Sequence, residues 1–299
     1  MIARAQPWLG TMVGIRVAPC RQAEAAVDAA FAAIRLVHEL MSFHRPESEL
    51  SALNQRAHQG PIAVAQWTYA VIAHALELSQ VSDGLFDCTV APYLTARGLL
   101  PVPMPVPMPE KSRVRPPSGA CALRRASYRD VELLDGCRIR FRRALWIDLG
   151  GIAKGFAVDR AVEALRAHGV AAASVNAGGD LRVFGEHVSK ILVRLPGDSY
   201  STTPLMNLHN SALATSATYL DPSSGETGAA VSPLIDPRTG AGCGNGFSVS
   251  VHAHDCVTAD ALTKVVAVSQ DPHHPALAEL GASALLLRAR RPCGRGHAQ

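Results

Sequence analysis

No apolar run in this chain approaches the roughly 18 residues that span a bilayer, which excludes a helical membrane anchor within it. Its first residues, MIARAQPWLGTMVGIRV, lack the charged start, unbroken apolar stretch and small-residue cleavage site of a secretory leader, so a cytoplasmic location is expected. No C-x-x-C pair occurs among the seven cysteines (Cys20, Cys88, Cys121, Cys137, Cys243, Cys256 and Cys293). An odd, scattered set of this kind argues against a zinc centre and against a disulfide framework, and leaves buried or incidental thiols as the expectation. A strong excess of one charge is also missing. Lys+Arg 29 against Asp+Glu 25 gives +4, and Arg288, Arg290, Arg291 and Arg295 lie in a C-terminal stretch with no acid. Without them the body is near neutral, so no nucleic-acid partner is expected.

What is present is apolar: 48% hydrophobic residues against 18% charged, in 299 residues. That composition predicts a packed globular protein, long enough for one elaborate core or two lobes. Met12 to Val17 alternates like a strand. Val27, Phe31, Ile34, Val37 and Met41 recur at helical intervals between Glu24 and Met41. Ser48-x-x-Ser51 with Asn54 predicts a short helical turn, and residues 65–82 a second long helix stopped by Ser82-Asp83-Gly84.

The segment PVPMPVPMP at 101–109 fits neither helix nor sheet, and with Pro116, Pro117 and Gly119 reads as an insertion or a seam. Further strands are expected at Arg138–Phe141, Leu145–Leu149, Ala172–Val175, Leu181–Phe184, Lys190–Leu195 and Phe247–His252, with helices at Phe156–His168 and Asp260–Ser269. Strands and helices in no strict alternation predict an α+β fold. Residues 1–285 are expected to form one unit with its insertion at about 101–119, followed by a basic tail at 286–299.

Three glycine-rich elements are candidates for chemistry. Asp148-Leu-Gly-Gly-Ile-Ala-Lys-Gly155 runs from strand to helix, where free N–H groups, the helix dipole and Lys154 suit a phosphate; a plain turn is the alternative. Val175-Asn-Ala-Gly-Gly-Asp180 is a hairpin turn, with or without a ligand against its bared main chain. Ile235-Asp-Pro-Arg-Thr-Gly240 clusters Asp236, Arg238 and Thr239, and Asp236 is equally well explained by a bridge to Arg238. Asp260 and Lys264, four apart on one helix, have the spacing of an ordinary surface ion pair. Asp260 at the start of that helix is alternatively an oxygen ligand for Mg²⁺.

In this order the blocks are specific. Leu9-Gly-Thr-Met12, Met41-Ser-Phe-His-Arg-Pro-Glu-Ser-Glu-Leu50 continuing to Asn54, Gly84-Leu-Phe-Asp-Cys-Thr-Val-Ala-Pro92, Ile147 through Asp159, Val175 through Asp180, Thr215-Ser216, Ile235 through Gly240 and Ala259-Asp-Ala-Leu262 resemble the ApbE family of FAD:protein FMN transferases. The resemblance covers nearly the whole chain. It implies mixed sheets flanked by helices, with an FAD cleft between two lobes. It further implies Mg²⁺-dependent transfer of FMN from FAD, through a phosphoester bond, to a Thr or Ser of an acceptor flavoprotein, with AMP released.

The resemblance places His44, Phe86, Asp87, Lys154, Asn176, Gly178, Gly179, Asp180, Thr215 and Ser216 around the flavin nucleotide. It assigns catalytic roles to Asp236 and Asp260, and metal ligation to the Asp260 carboxylate and a main-chain carbonyl near Gly151. Relatives are often exported or lipid-anchored. Where the family usually carries a His that assists removal of the acceptor proton, this chain has Pro233. His209, His252 and His254 are the substitutes to examine. Where the family often has a Thr or Ser metal ligand four residues after the Asp, this chain has Lys264. A chain that binds FAD without transferring it, or that hydrolyses it to FMN and AMP, is the alternative these departures raise.

Overall fold

The computed structural model describes residues 2–103, 126–196, 198–218, 232–244 and 246–289. The proline-rich segment from residue 104 and the tail from residue 290 lie outside them. The chain opens on a hairpin, β1 (Ile2–Trp8) and β2 (Thr11–Val17), turning at Leu9–Gly10. Alternation predicted β2 but not β1, whose polar face and Pro7 obscure it; Pro7 is tolerated because β1 is an edge strand. Helix α1 (Ala23–Met41) buries the predicted stripe from Val27 to Met41. Helix α2 (Glu49–Arg56) starts at Ser48, whose hydroxyl accepts the Ser51 N–H at 3.0 Å. After β3 (Ile62–Ala63) come α3 (Gln66–Val81) and the short α4 (Ala91–Ala96), then β4 (Val131–Leu134) and β5 (Arg138–Phe141), which join β3 in a three-stranded sheet.

Residues 145–149, expected as a strand, form none and pair with no strand among the described residues. Their hydrogen bonds go elsewhere. Asn54 clamps Ile147 from both sides, Nδ2 donating to its carbonyl at 2.9 Å and Oδ1 accepting its N–H at 2.8 Å. The Asp148 N–H donates to the Cys88 carbonyl at 2.8 Å. A single buried side chain thus does what a neighbouring strand would have done.

Helix α5 (Ala153–Ala167) leads into the hairpin β6 (Ala173–Ala177) and β7 (Asp180–Phe184), a second hairpin β8 (Ser189–Leu195) and β9 (Asp198–Leu208), and strands β10 (Ala212–Ala217) and β11 (Phe247–Ala253). Helices α6 (Cys256–Ser269) and α7 (Pro275–Glu279) and strand β12 (Ser283–Arg288) complete the chain. The main sheet is antiparallel, in the order β1-β2-β6-β7-β10-β11-β12. Helix α1 packs on α5, α5 on α6, and the latter two on the sheet. The expected α+β class is the one observed. Among the described residues no helix is long and apolar enough to cross a membrane.

Strand β7 is buried on both faces, and its period of two sorts its residues. Leu181 and Val183 enter a small apolar cluster with Ile191, Val193 and Leu208 of the second hairpin. Asp180 and Arg182 point the other way and meet Lys154 and Asp159 on α5.

Both functional helices begin earlier than periodicity predicts. Helix α5 starts at Ala153, so Lys154 and Gly155 belong to its first turn rather than to a loop. Helix α6 starts at Cys256, capped by the Asp255 carboxylate accepting the Thr258 N–H at 3.0 Å, which puts Asp260 in the second turn. Gly155 is where these helices touch: a Cβ there would lie 2.2 Å from the Cys256 carbonyl oxygen and 2.8 Å from the Asp260 Cβ. Gly155→Ala is therefore expected to push the helices apart at a cost of about 3 kcal/mol, at the upper end of ordinary overpacking. Chemical denaturation measures it, and a loss under about 1 kcal/mol would mean that the contact relaxes freely.

Candidate active site

A cleft of about 580 Å³ opens among α1, α5, β10 and α6, within the size range of small-molecule sites. Much of its wall is apolar, including Met41, Phe43, Leu85 and Phe86, and His38 and His44 add imidazoles. Lys154, Gly151, Thr215, Ser216, Pro233 and Lys264 also line it. Of the sequence candidates, the structure thus gathers His44, Phe86, Asp87, Gly151, Lys154, Thr215 and Ser216 around one hollow.

Asp180 and Asp260 stand directly behind that lining, 1% and 0% exposed. Lys154 Nζ donates to Asp180 Oδ2. Lys264 Nζ donates to Asp260 Oδ1 and, at 2.9 Å, to the Asp260 carbonyl. Asp260 Oδ2 accepts the Gly155 N–H at 3.0 Å. Burial alone would lower the Lys154 pKa, but Asp260 and Asp180 more than offset it and raise it. Burial likewise disfavours the Asp260 carboxylate, yet Lys154 and Lys264 hold its pKa below the ordinary value. Asp180 goes the other way, raised by burial and by the neighbouring Asp260 charge. The expected Asp260–Lys264 pair exists, but at the buried base of the cleft rather than on the surface.

Several candidates also have partners within the fold. Asp87 Oδ1 accepts the Thr89 N–H at 2.8 Å and Oδ2 the Tyr128 N–H at 3.0 Å, tying the two sides of the proline-rich insertion together. Burial raises its pKa in spite of those donors. Asn176 Oδ1 accepts the Gly179 N–H at 3.0 Å and stabilises its own turn. Gly178 has φ +66°, and a Cβ would strike Thr11 Oγ1 at 2.4 Å, so glycine is demanded there by backbone and packing alike. Neither Asn176, Gly178 nor Gly179 is among the cleft-lining residues.

Asp236 also stays out of the lining, and its carboxylate is held by Arg238 through Nε and Nη2, both at 3.1 Å. That pairing lowers its pKa and makes it a poor base. His209, His252 and His254 do not line the cleft either. Burial raises the Cys88 and Cys256 thiols well above their ordinary value, in keeping with inert buried cysteines.

Among the described residues no group of three or more His, Cys, Asp or Glu is placed to hold a metal ion. The proposed donor Asp260 has one carboxylate oxygen on the Gly155 N–H and the other on the Lys264 ammonium. Thr263, next to Lys264, is committed too: its hydroxyl donates to the Asp260 carbonyl at 2.6 Å and lies 2.7 Å from Ser216 Oγ. This donor set does not fit the expected Mg²⁺.

Two further residues line the cleft: His38, which no motif singles out, and Asp148, which opens the first glycine-rich element with no role of its own. Burial, then the nearby Arg45 charge, lowers the His38 pKa. Burial raises that of Asp148 despite the Gly150 N–H it accepts at 3.1 Å. The available signal was the position of Asp148 two residues before the glycine pair. The folded state holds the Asp148 proton more tightly than the unfolded chain does. That contribution to stability is complete below the ordinary aspartate pKa and is lost as pH rises through the raised folded-state value. Asp148→Asn, which keeps an acceptor for Gly150, should raise Tm at pH 7, with the gain fading towards about pH 3–4. A pH-independent change in Tm would contradict a destabilising charge at this position.

Comparison with known proteins converges on one family. The model of the ApbE family matches residues 9–286. A FAD:protein FMN transferase of Vibrio cholerae is 28% identical over 249 residues, covering 81% of this chain and 73% of that protein. One of Haemophilus influenzae is 27% identical over 247 residues, covering 78% and 69%. Among solved structures, a mutant of the flavin transferase ApbE from Vibrio cholerae matches with a TM-score of 0.78 at 26% identity, over 95% of this chain and 92% of that one. The ApbE protein of Thermotoga maritima matches with a TM-score of 0.77 at 26% identity, over 97% of each chain.

Proposed function

The chain belongs to the ApbE family, and on that premise we propose that it is a flavin transferase, moving FMN from FAD to a Thr or Ser hydroxyl of an acceptor flavoprotein. The reaction breaks the diphosphate linkage of FAD, forms a phosphoester on the acceptor oxygen and releases AMP; the acceptor proton leaves to a base. The observation that carries the reading is the composition of the cleft. Apolar and aromatic side chains suit a flavin ring, while Lys154 and Lys264, each held by a buried carboxylate, bring cationic charge to the same hollow.

Phosphoryl transfer depends on positioning and charge neutralisation more than on covalent help from the protein. Lys154, at the first turn of α5, offers its ammonium together with the positive end of that helix. Asp180 and Asp260 aim the two ammonium groups, so they are positioning residues. His44 and Phe86 present rings to the flavin, and Thr215 and Ser216 of β10 line the cleft beside them.

Pro233 favours a second reading, in which the chain holds FAD without passing it on. It lines the cleft where the resemblance places the proton-accepting His. Incubation with FAD and candidate acceptor proteins separates the two. Flavin fluorescence that stays with the acceptor through denaturation, together with AMP, is the result expected of a transferase. Bound flavin without turnover supports the second reading, free FMN with AMP indicates hydrolysis, and failure to bind any flavin refutes both.

A further inference from the structure

We propose that in this chain the Lys264 ammonium replaces a divalent cation at the base of the cleft, so that FAD is bound without metal. The proposal rests on the flavin-transferase reading for its ligand, but its geometric argument stands on Asp260. That carboxylate is wholly buried, and both its oxygens are occupied by protein donors, the Gly155 N–H at 3.0 Å and Lys264 Nζ. Lys264 also reaches the Asp260 carbonyl at 2.9 Å, which anchors its ammonium beside the carboxylate oxygen that would otherwise face a metal.

The lysine stem is fixed as well. A Cβ at Gly151 would lie 3.5 Å from Lys264 Cε, which places the stem over the glycine whose neighbourhood was expected to complete the metal shell. Thr263, the nearby hydroxyl, is spent on Ser216 and on the Asp260 carbonyl. A dication entering here must displace an ammonium from its carboxylate and then sit beside it.

The ammonium can also serve a ligand. It has three donors, of which two go to Asp260, leaving one for an anion in the cleft that Lys264 lines. With Lys154 on Asp180, the site holds two built-in cations balanced by two buried carboxylates. A diphosphate then meets a pair of lysines where a metal-dependent site would present one lysine and a metal.

The test is FAD binding, followed by flavin fluorescence in EDTA and in excess Mg²⁺, for wild-type and Lys264→Thr. Wild-type affinity is expected to be the same in both media. Lys264→Thr should bind about tenfold or more weakly in EDTA, as befits loss of a charged hydrogen bond, and recover in Mg²⁺. Wild-type binding strengthened about tenfold by Mg²⁺, or variant binding undiminished in EDTA, overturns the proposal. A second arm needs no flavin: Mn²⁺ titration followed by electron paramagnetic resonance should find the ion held by Lys264→Thr and not by wild-type. Mn²⁺ held by wild-type, or by neither protein, also overturns it. Should neither protein bind FAD in any medium, the functional reading fails while the Mn²⁺ arm still judges the lysine. The wild-type measurements do so even if the substituted chain does not fold.

Discussion

Asp159→Ala is expected to lower folding stability by about 3–5 kcal/mol, the cost of breaking a buried ion pair from one side. Asp159 is 2% exposed, and its Oδ1 accepts from Arg182 Nη1 at 2.6 Å. The same carboxylate accepts the Cys256 N–H at 3.0 Å and the Val257 N–H at 2.8 Å, so it caps α6 from the neighbouring helix. Burial raises the Asp159 pKa in spite of these partners, so the pair itself adds little net stability. What the substitution costs is the state left behind: a guanidinium that is 8% exposed with no anion, and two helix-start N–H groups with no acceptor.

Chemical denaturation measures the effect. Removing both charges, as in Asp159→Leu with Arg182→Met, should recover a large part of it, because an apolar pair of similar volume leaves nothing uncompensated. A single-variant loss below about 1 kcal/mol would show that Arg182 finds water or another partner. Since Asp159 fixes the start of α6, the same variant should also loosen Asp260 and weaken flavin binding.

Pro233→His is expected to speed flavin transfer by about 10²–10⁴-fold, the usual worth of a general base placed at a reacting hydroxyl. Pro233 is exposed and lines the cleft, so an imidazole there has room and needs no repacking. The gain should appear in kcat, with flavin affinity unchanged, since the base acts on the acceptor hydroxyl rather than on bound FAD. The histidines already lining the cleft are His38 and His44. His38, with its lowered pKa, is neutral at pH 7 and able to accept a proton. If the variant gains nothing, the missing family histidine is not what limits this protein, and His38 becomes the residue to replace next.

Much of the site was readable because its parts are local. The glycines at 150, 151 and 155, Lys154 and the block beginning at Ala259 are short stretches whose spacing carries meaning before any fold is known, and the stripe on α1 and the alternation of β2 follow from the periods of helix and strand. The failures lie where a partner distant in sequence decides. Residues 145–149 form no strand, and Asn54, 93 residues away, takes the backbone hydrogen bonds of Ile147. Gly155 reads as part of a loop until the Cys256 carbonyl is seen against it. Asp236 is the converse case, since its bridge to Arg238, two residues on, is local and legible in the motif itself.

By itself, then, the sequence determined the family, the α+β class and the residue types that bear charge, because these depend on composition, period and the order of short blocks. Only the tertiary structure decided which charges meet and how. The alternation of β7 turns Asp180 and Arg182 towards α5, and the contact at Gly155 brings α6 close enough for Asp260 to reach that helix. With the carboxylate buried in this way, Lys264 one turn later becomes its counter-ion rather than a solvated surface charge. Spacing of four along a helix permits such a pair, but burial, which removes competing water, is what makes it strong.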